Sequence, residues 1–115
     1  MSNKPREHLL VLGGNGYLGT QIVADSEQQF RTMSADQSGG VVQADLRDPA
    51  QVRAVFDLFF SEIAAIDSVN LVVSTGASVF TDTLDRTRDE LVNVLETNLG
   101  IPVWAMNEFS AHCEA

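Results

Sequence analysis

Apolar runs and helically spaced apolar residues succeed one another along the chain, which predicts strands interleaved with helices. The first and last predicted strands are apolar at successive positions, as is typical of strands covered on both faces. The second contains the polar residues Arg31, Thr32 and Ser34. The four strands are predicted at His8–Leu12, Phe30–Ala35, Val41–Ala44 and Asn70–Thr75.

The clearest predicted helix follows Asp48, a candidate N-cap, with Pro49 at the first helical position. Its apolar residues recur three and four positions apart, and we expect this face to pack as core against the sheet. The face consists of Val52, Val55, Phe56, Phe59, Phe60 and Ile63.

Three further helical segments are predicted. They run from Tyr17 to about Gln28, from the capping-box sequence Thr87–Glu90 through Leu91, Val94, Leu95 and Leu99, and over the tail Val103–Cys113 with Val103, Met106 and Phe109 at helical spacing. Between the last two, Gly100-Ile101-Pro102 predicts a break or kink, because proline removes a helical hydrogen bond.

These elements, taken in the order βαβαβαβα, have connections long enough for parallel strands. Right-handed crossovers then give a doubly wound sheet. We expect a three-layer α/β/α fold with strand order 3-2-1-4, in a single domain over residues 1–115. In such a sheet a ligand binds at the carboxyl ends of the strands, where the strand order reverses beside the first strand.

At that place Leu9–Ile22 passes from four apolar residues through a glycine cluster into a helical pattern. Gly14, Gly16 and Gly19 satisfy G-x-G-x-x-G, and Gly13, Gly16 and Gly19 satisfy G-x-x-G-x-x-G. In a dinucleotide-binding turn, Gly13 or Gly14 turns the chain off the strand. Gly16 lets the backbone approach a pyrophosphate, and Gly19 lets the helix lie close to the strand. The start of that helix directs free N–H groups at phosphates. The alternative is an ordinary turn.

Asp36 follows the second predicted strand, 23 residues after Gly13. An acidic residue about 20 residues beyond the glycines is where adenosine ribose hydroxyls are held. An Asp before Gln37-Ser38-Gly39-Gly40 is equally a good turn former, so both interpretations stay open.

The net charge of −9 argues against nucleic acid and anionic membrane surfaces as partners, because both need clustered Lys and Arg. The single cysteine, Cys113, excludes an internal disulfide and fits a reducing compartment. No apolar run is long enough to span a bilayer, so we expect a cytoplasmic location. His8 and His112 suggest no metal site.

Four features together resemble the short-chain dehydrogenase/reductase superfamily, in its extended or atypical branches. The loop Gly13–Gly19 is similar to the family's G-x-x-G-x-x-G, and Asp45–Asp48 (D-L-R-D) to its acidic motif after the third strand. Ser74–Ala77 (S-T-G-A) lies where the family's fourth strand ends, and Glu96–Gly100 (E-T-N-L-G) resembles its N-x-x-G region. The resemblance implies a Rossmann-type NAD(P)-binding oxidoreductase that transfers hydride at a carbonyl or alcohol carbon.

The resemblance also implies roles for individual residues. The loop would hold the pyrophosphate, Asp36 the ribose, and Asn98 would bend a helix and help to hold a proton-relay water. The carboxylate of Asp36 favours NAD over NADP because it repels a 2′-phosphate, unless Arg31 or Arg47 reaches the site. The remaining cofactor residues are Gly13, Gly14, Asn15, Gly16, Tyr17 and Leu18 at the pyrophosphate, Asp45 and Leu46 at the adenine, and Thr75 and Gly76 near the nicotinamide ribose.

The resemblance covers nearly all of this chain but only the first half of such a protein. Family members use a Tyr-x-x-x-Lys pair, usually with a Ser, further along than this chain extends. Here the only tyrosine, Tyr17, lies in the phosphate loop, and the only lysine, Lys4, precedes it by 13 residues. Losing a positioned acid or base typically lowers a rate by about 10²–10⁴.

The predicted strand Asn70–Thr75 would form an open edge without the charges or proline that normally protect one. We therefore expect the chain to be the N-terminal part of a longer reductase-like or epimerase-like protein, or to pair through that edge in a homo-oligomer. Two other classes remain. The missing Tyr and Lys favour a non-catalytic dinucleotide sensor, interaction protein or vestigial fragment, whereas the glycine spacing disfavours an S-adenosylmethionine-dependent methyltransferase.

Overall fold

The structure, a computed structural model, describes residues 7–14, 17–37, 42–63, 68–75 and 88–114. Within these ranges the strands are β1 (Glu7–Leu12), β2 (Phe30–Asp36), β3 (Val42–Gln43) and β4 (Val69–Val73). The helices are α1 (Tyr17–Ser26), α2 (Pro49–Ser61), α3 (Arg88–Leu95) and α4 (Ile101–Glu114), and a π turn (Glu96–Gly100) joins the last two.

The four strands form one parallel sheet in the order β3-β2-β1-β4. In the centre Leu10 of β1 lies opposite Met33 of β2 on one side and Leu71 of β4 on the other. The predicted α/β fold and its 3-2-1-4 strand order are confirmed.

One part of the predicted order is wrong, because the connection from β2 to β3 is too short for a helical crossover. Only residues 37–41 lie between the two strands. The register pairs Ala35 with Val42 and Asp36 with Gln43, so β3 begins beside the end of β2 and needs no return crossover. β3 is also shorter than the predicted Val41–Ala44, α1 ends two residues before the predicted Gln28, and β4 is displaced toward the N-terminus from Asn70–Thr75.

Alternate residues of the strands face two helical layers, as the pleat of a strand requires. Leu10 and Leu12 of β1 belong to the main apolar cluster, together with buried residues of α2 and α4. Leu9 instead lies beside Ile22 and Ser26 of α1, on the opposite face. The sheet is therefore covered by α1 on one side and by α2 and α4 on the other.

Helix α2 confirms its predicted start and its predicted apolar face. The Asp48 carboxylate accepts a hydrogen bond from Ala50 N at 3.0 Å, and Pro49 occupies the first turn, where its missing N–H breaks no helical bond. The side chains of Val52, Val55, Phe56 and Phe59 are buried. Removing a side chain such as that of Phe56 from water stabilises the fold by about 1.5–3 kcal/mol.

The break or kink predicted at Gly100-Ile101-Pro102 takes the form of a π turn between α3 and α4. Ile101 N donates to Glu96 O, five residues back, instead of to a carbonyl four residues back. Pro102 has no N–H to offer the carbonyl of Asn98, so the regular pattern fails at this place. The helix thus widens locally where the sequence predicts its interruption.

The apolar residues predicted for the last two helices do not all face the core. Ile101 and Ala105 are the buried residues of α4, and Trp104 and Phe109 pack against the cluster. Val103 and Met106 are exposed, as are Leu91, Leu95 and Leu99. The buried face is set by the contact of α4 with α2, which spacing within α4 alone does not reveal. Thr87, the first residue of the predicted capping box, lies outside the described residues.

Candidate functional site

The turn after β1 is tied to both neighbouring strands at the carboxyl edge of the sheet. Gly13 N donates to Ala35 O of β2 at 2.8 Å, and Ser74 N, just after β4, donates to Leu12 O at 2.8 Å. Because these bonds use only main-chain groups, the turn has a fixed position between the ends of β2 and β4.

Gly13 turns the chain off the strand. Its φ is 83°, in the left-handed region that glycine adopts without strain. A Cβ at this position would collide with the main-chain carbonyl of Ser74. At Gly14 a Cβ would lie 2.5 Å from the Ser34 Cβ, so this glycine is required for close packing on β2.

Gly19 brings helix α1 directly onto this turn. It is buried, and a Cβ there would collide with the main-chain carbonyl of Gly13. The first turn of α1 is therefore held next to the end of β1, as the glycine pattern predicts for a dinucleotide-binding turn. Asn15 and Gly16 lie outside the described residues.

A groove of about 470 Å³ separates the start of α1 from the end of β4. Tyr17 and Leu18 are 94% and 61% exposed at one wall. Thr75, at the other wall, is half-buried. Three of the predicted cofactor residues thus surround one groove, which is lined by Tyr17, Leu18, Ile22, Val72, Val73, Ser74 and Thr75. Gly76 lies outside the described residues.

Asp36 is the last residue of β2, at the same edge of the sheet. Its Oδ1 accepts a hydrogen bond from Gln37 N at 2.7 Å, and its main-chain oxygen accepts one from Ala44 N at 2.9 Å. The local bond to Gln37 agrees with the turn-forming interpretation, while the position at the strand end agrees with the ribose-binding one.

Asp45 lies two residues beyond the end of β3, and the register pairs that end, Gln43, with Asp36 of β2. Its carboxylate accepts hydrogen bonds from Arg47 N at 3.0 Å and Arg47 Nε at 3.2 Å. The side-chain hydrogen bond from Arg47, its main-chain N–H and its charge together outweigh partial burial and lower the pKa of Asp45. Leu46 is buried in the core cluster.

Asn98 lies in the π turn, where its side chain is exposed. The turn is tied to the site by the Thr75 hydroxyl, which donates to Thr97 O at 3.4 Å. The structure thus gathers Gly13, Gly14, Tyr17, Leu18 and Thr75 around the β1 turn, places Asp36 and Asp45 at neighbouring strand ends, and connects the segment of Asn98 to Thr75.

Two other contacts at this edge are missing from the sequence interpretation. Arg47 Nη1 donates to Asn93 Oδ1 at 2.6 Å, 46 residues away, and Thr97 contributes its carbonyl to Thr75. No spacing rule relates these partners. The D-L-R-D motif draws attention to Arg47 but gives no indication of Asn93.

The described ranges contain no group of three or more His, Cys, Asp or Glu side chains placed to hold a metal ion. His112 contacts Asp57 and Glu108 between α2 and α4, and His8 lies in β1. In the same part of the chain, no helix has the length and apolar character needed to cross a bilayer.

Solved structures of short-chain dehydrogenases share this fold. The chain superposes on the short chain dehydrogenase from Leptospira borgpetersenii with bound NAD+ (TM-score 0.75, 23% identity), covering 94% of this chain and 48% of that one. It is similarly close to the short-chain dehydrogenase/reductase from Serratia marcescens (0.75, 22% identity, 92% and 52%). A third match is the ligand-free aldohexose dehydrogenase from Thermoplasma acidophilum (0.75, 18% identity, 90% and 43%).

These superpositions confirm the predicted resemblance at the level of the fold. The chain spans about half the length of each of these proteins. No protein-family model matches the sequence, and no curated protein is significantly similar to it.

Proposed function

We propose that this chain binds a nicotinamide dinucleotide, with a preference for NAD, as the cofactor-binding half of a short-chain dehydrogenase/reductase-like oxidoreductase. The observation that carries the proposal is the left-handed turn at Gly13, packed beneath Gly19 at the carboxyl edge of the sheet. This arrangement brings helix α1 close to the strand ends, where its N-terminus favours a phosphate.

The cofactor would lie across this edge from β4 to β3. Main-chain groups of the β1 turn are suited to the pyrophosphate because a side chain at Gly13 or Gly19 would collide with the backbone and disrupt the turn. Asp36 would bind the adenosine ribose. The remaining assignments are Gly14, Asn15, Gly16, Tyr17 and Leu18 at the pyrophosphate, Asp45 and the Leu46 main chain at the adenine, and Thr75 and Gly76 at the nicotinamide ribose.

Two arginines that could favour NADP are placed unfavourably for that role. Arg31 is the second residue of β2 and lines a small cavity with His8 and Glu62, far from the carboxyl edge. The Arg47 guanidinium is engaged by Asp45 and Asn93. Neither Arg31 nor Arg47 is therefore placed to hold a 2′-phosphate, and the carboxylate of Asp36 would repel one, which supports NAD.

When bound, the nicotinamide would supply the hydride chemistry. Of the residues that resemble the family's catalytic set, this chain has Asn98, which would help to hold a proton-relay water from the π turn. Tyr17 is the only tyrosine and Lys4 the only lysine, so this sequence offers no Tyr-x-x-x-Lys pair. The second candidate is a dinucleotide sensor that binds without turnover.

The edge of β4 is the place where we propose that further polypeptide adds to the sheet. β4 is the outer strand of the described sheet, and its residues Val69–Val73 contain no charge or proline. The occupant would be the remainder of a longer reductase-like protein or a second copy. The exposed thiol of Cys113 fits a reducing, cytoplasmic location.

Equilibrium dialysis of the folded chain against NADH and NADPH tests the cofactor assignment. We expect NADH to bind more tightly than NADPH. Asp36→Ser should reduce the ratio between these two affinities. Gly16→Val should weaken NADH binding at least tenfold with the fold intact, whereas Gln21→Val, at an exposed position of α1, should leave it unchanged. If the folded protein retains neither dinucleotide, the proposal is refuted. If S-adenosylmethionine displaces NADH, the result supports the methyltransferase alternative.

A further inference from the structure

The loop after β3 is fixed on two sides by side-chain hydrogen bonds. On one side Asp45 N donates to Gln51 Oε1 at 2.7 Å, and Gln51 Nε2 donates to the N-cap Asp48 at 3.2 Å. On the other side Arg47 reaches Asn93 of α3. The Asp45 carboxylate is therefore held in place from the start of α2 and from α3.

Within this loop the two oxygens of Asp45 are not equivalent. Oδ1 accepts both short hydrogen bonds from Arg47, at 3.0 and 3.2 Å. Oδ2 has a longer contact of 3.4 Å with Arg47 Nη2. The side chain is 35% exposed, so Oδ2 retains room and acceptor capacity for a ligand donor.

The guanidinium of Arg47, whose side chain is 36% exposed, is held by two partners. Its Nε and Nη2 face Asp45, and its Nη1 donates to Asn93 at 2.6 Å. A guanidinium offers its donors in one plane, so fixing three nitrogens fixes its orientation. Asn93 is half-buried and lies in the regular helix α3, so its side-chain oxygen is a well-positioned acceptor for Arg47.

We propose that Arg47 and Asn93 are positioning residues for the adenine of the bound dinucleotide. They hold the Asp45 carboxylate in place, with Oδ2 directed at the exocyclic amino group of adenine, and they withhold the Arg47 guanidinium from a 2′-phosphate. This inference rests on the proposed function, because it assigns the adenine end of the same site.

The hypoxanthine analogue of NADH tests this inference, because it carries a carbonyl oxygen where adenine has its amino group. A carboxylate would accept a hydrogen bond from the amino group and repel the carbonyl oxygen. We expect the wild-type chain to bind NADH about tenfold more tightly than the analogue, in keeping with a hydrogen bond to a charged acceptor. Asn93→Ala and Arg47→Met should each reduce this ratio to about threefold or less.

Two matched variants control for the loss of the side chains themselves. Arg53→Met removes an exposed arginine of α2, and Asn107→Ala removes an exposed asparagine of α4. Both should keep the wild-type ratio. Asn93→Ala should in addition strengthen NADPH binding several-fold, because Arg47 stays in place and its Nη1 loses the hydrogen bond to Asn93. Arg47→Met should not strengthen NADPH binding, because it removes the guanidinium.

The outcomes separate this inference from the proposed function. If the wild-type chain binds neither NADH nor the analogue, the proposed function itself fails. If it binds both equally, or if the folded variants keep the wild-type ratio, the positioning role is wrong. Should Arg47→Met fail to fold, Asn93→Ala decides the question, since alanine is the most favourable residue in a helix.

Discussion

The carboxyl edge of the sheet and the α2–α4 layer are built in opposite ways. At the edge, Gly13 and Gly19 bring main-chain atoms together by having no side chains. In the layer, large side chains fill the space, as where the buried Phe56 ring meets Phe109 at a centroid distance of 6.4 Å. The first region is the proposed dinucleotide site, and the second supplies the apolar contacts that stabilise the fold.

This difference predicts where substitutions have their effects. A change in the layer should lower the free energy of unfolding by removing buried apolar contacts. A change at the edge should act mainly on dinucleotide binding, because few large side chains pack there. The two regions meet at the π turn, where Thr97 contacts Thr75.

The largest effect is expected from Phe56→Ala in the layer. The ring is fully buried, and a cavity of this kind lowers the free energy of unfolding by about 3–5 kcal/mol. That is a large part of the stability of a small domain, about 5–15 kcal/mol. Urea denaturation monitored by Trp104 fluorescence measures the change. Leu58→Ala on the exposed side of the same helix should change stability by less than about 1 kcal/mol, and equal losses from both variants would contradict the assigned face.

Gly19→Val at the edge should have a smaller effect on stability and a large one on binding. The added side chain meets the Gly13 carbonyl, so α1 must move away from the turn. Overpacking of this kind lowers the free energy of unfolding by about 1–3 kcal/mol. We expect NADH affinity to fall at least tenfold by isothermal titration calorimetry. Ala24→Val, on the exposed side of α1, should keep wild-type affinity, and tight binding by Gly19→Val would show that α1 need not touch the turn.

The two regions also differ in how far the sequence predicts them. The period of Val52, Val55, Phe56 and Phe59 predicts the buried face of α2 because a helix places such residues on one side. The glycine spacing likewise predicts the β1 turn, since side chains at Gly13 and Gly19 would collide with main-chain atoms. Each pattern is set by the geometry of one short segment of the chain, which is why the sequence alone predicts it.

The sequence does not predict features that depend on contact between distant segments. The buried face of α4 is chosen by α2, and Arg47 meets Asn93 across 46 residues. Only residues 37–41 connect β2 to β3, and the predicted alternation of strands and helices does not account for so short a connection. Each of these features requires knowledge of which elements lie side by side.

The smallest effect concerns His112, which joins α4 to α2 in the layer. Its Nε2 lies 2.8 Å from Asp57 Oδ1, and its Nδ1 lies 2.7 Å from the main-chain oxygen of Glu108. Only the imidazolium donates from both nitrogens. Burial opposes the charge, but the Asp57 and Glu108 hydrogen bonds and the charges of both carboxylates outweigh it and raise the pKa of His112.

Because the folded-state pKa of His112 lies above its unfolded value of about 6.5, its contribution to stability is complete below that pH and is lost as the pH rises through the folded-state pKa. We expect the free energy of unfolding to fall between pH 6 and pH 8.5 by less than about 1 kcal/mol, since Asp57 is 65% exposed. The difference between the wild-type chain and His112→Gln in urea denaturation isolates the contribution of His112.

An NMR titration of His112 checks the cause directly. Asp57→Asn should lower the pKa of His112, whereas Asp25→Asn, which removes an exposed carboxylate from α1, should not. If the wild-type His112 titrates at or below pH 6.5, or if His112→Gln keeps the wild-type pH dependence, then the charge of the His112 imidazolium does not hold α4 against α2. In that case the packing of α4 on α2 depends on the remaining contacts, which include the stack of His112 on Phe60 at 5.1 Å and the ion pair of Arg53 with Glu108 at 3.0 Å.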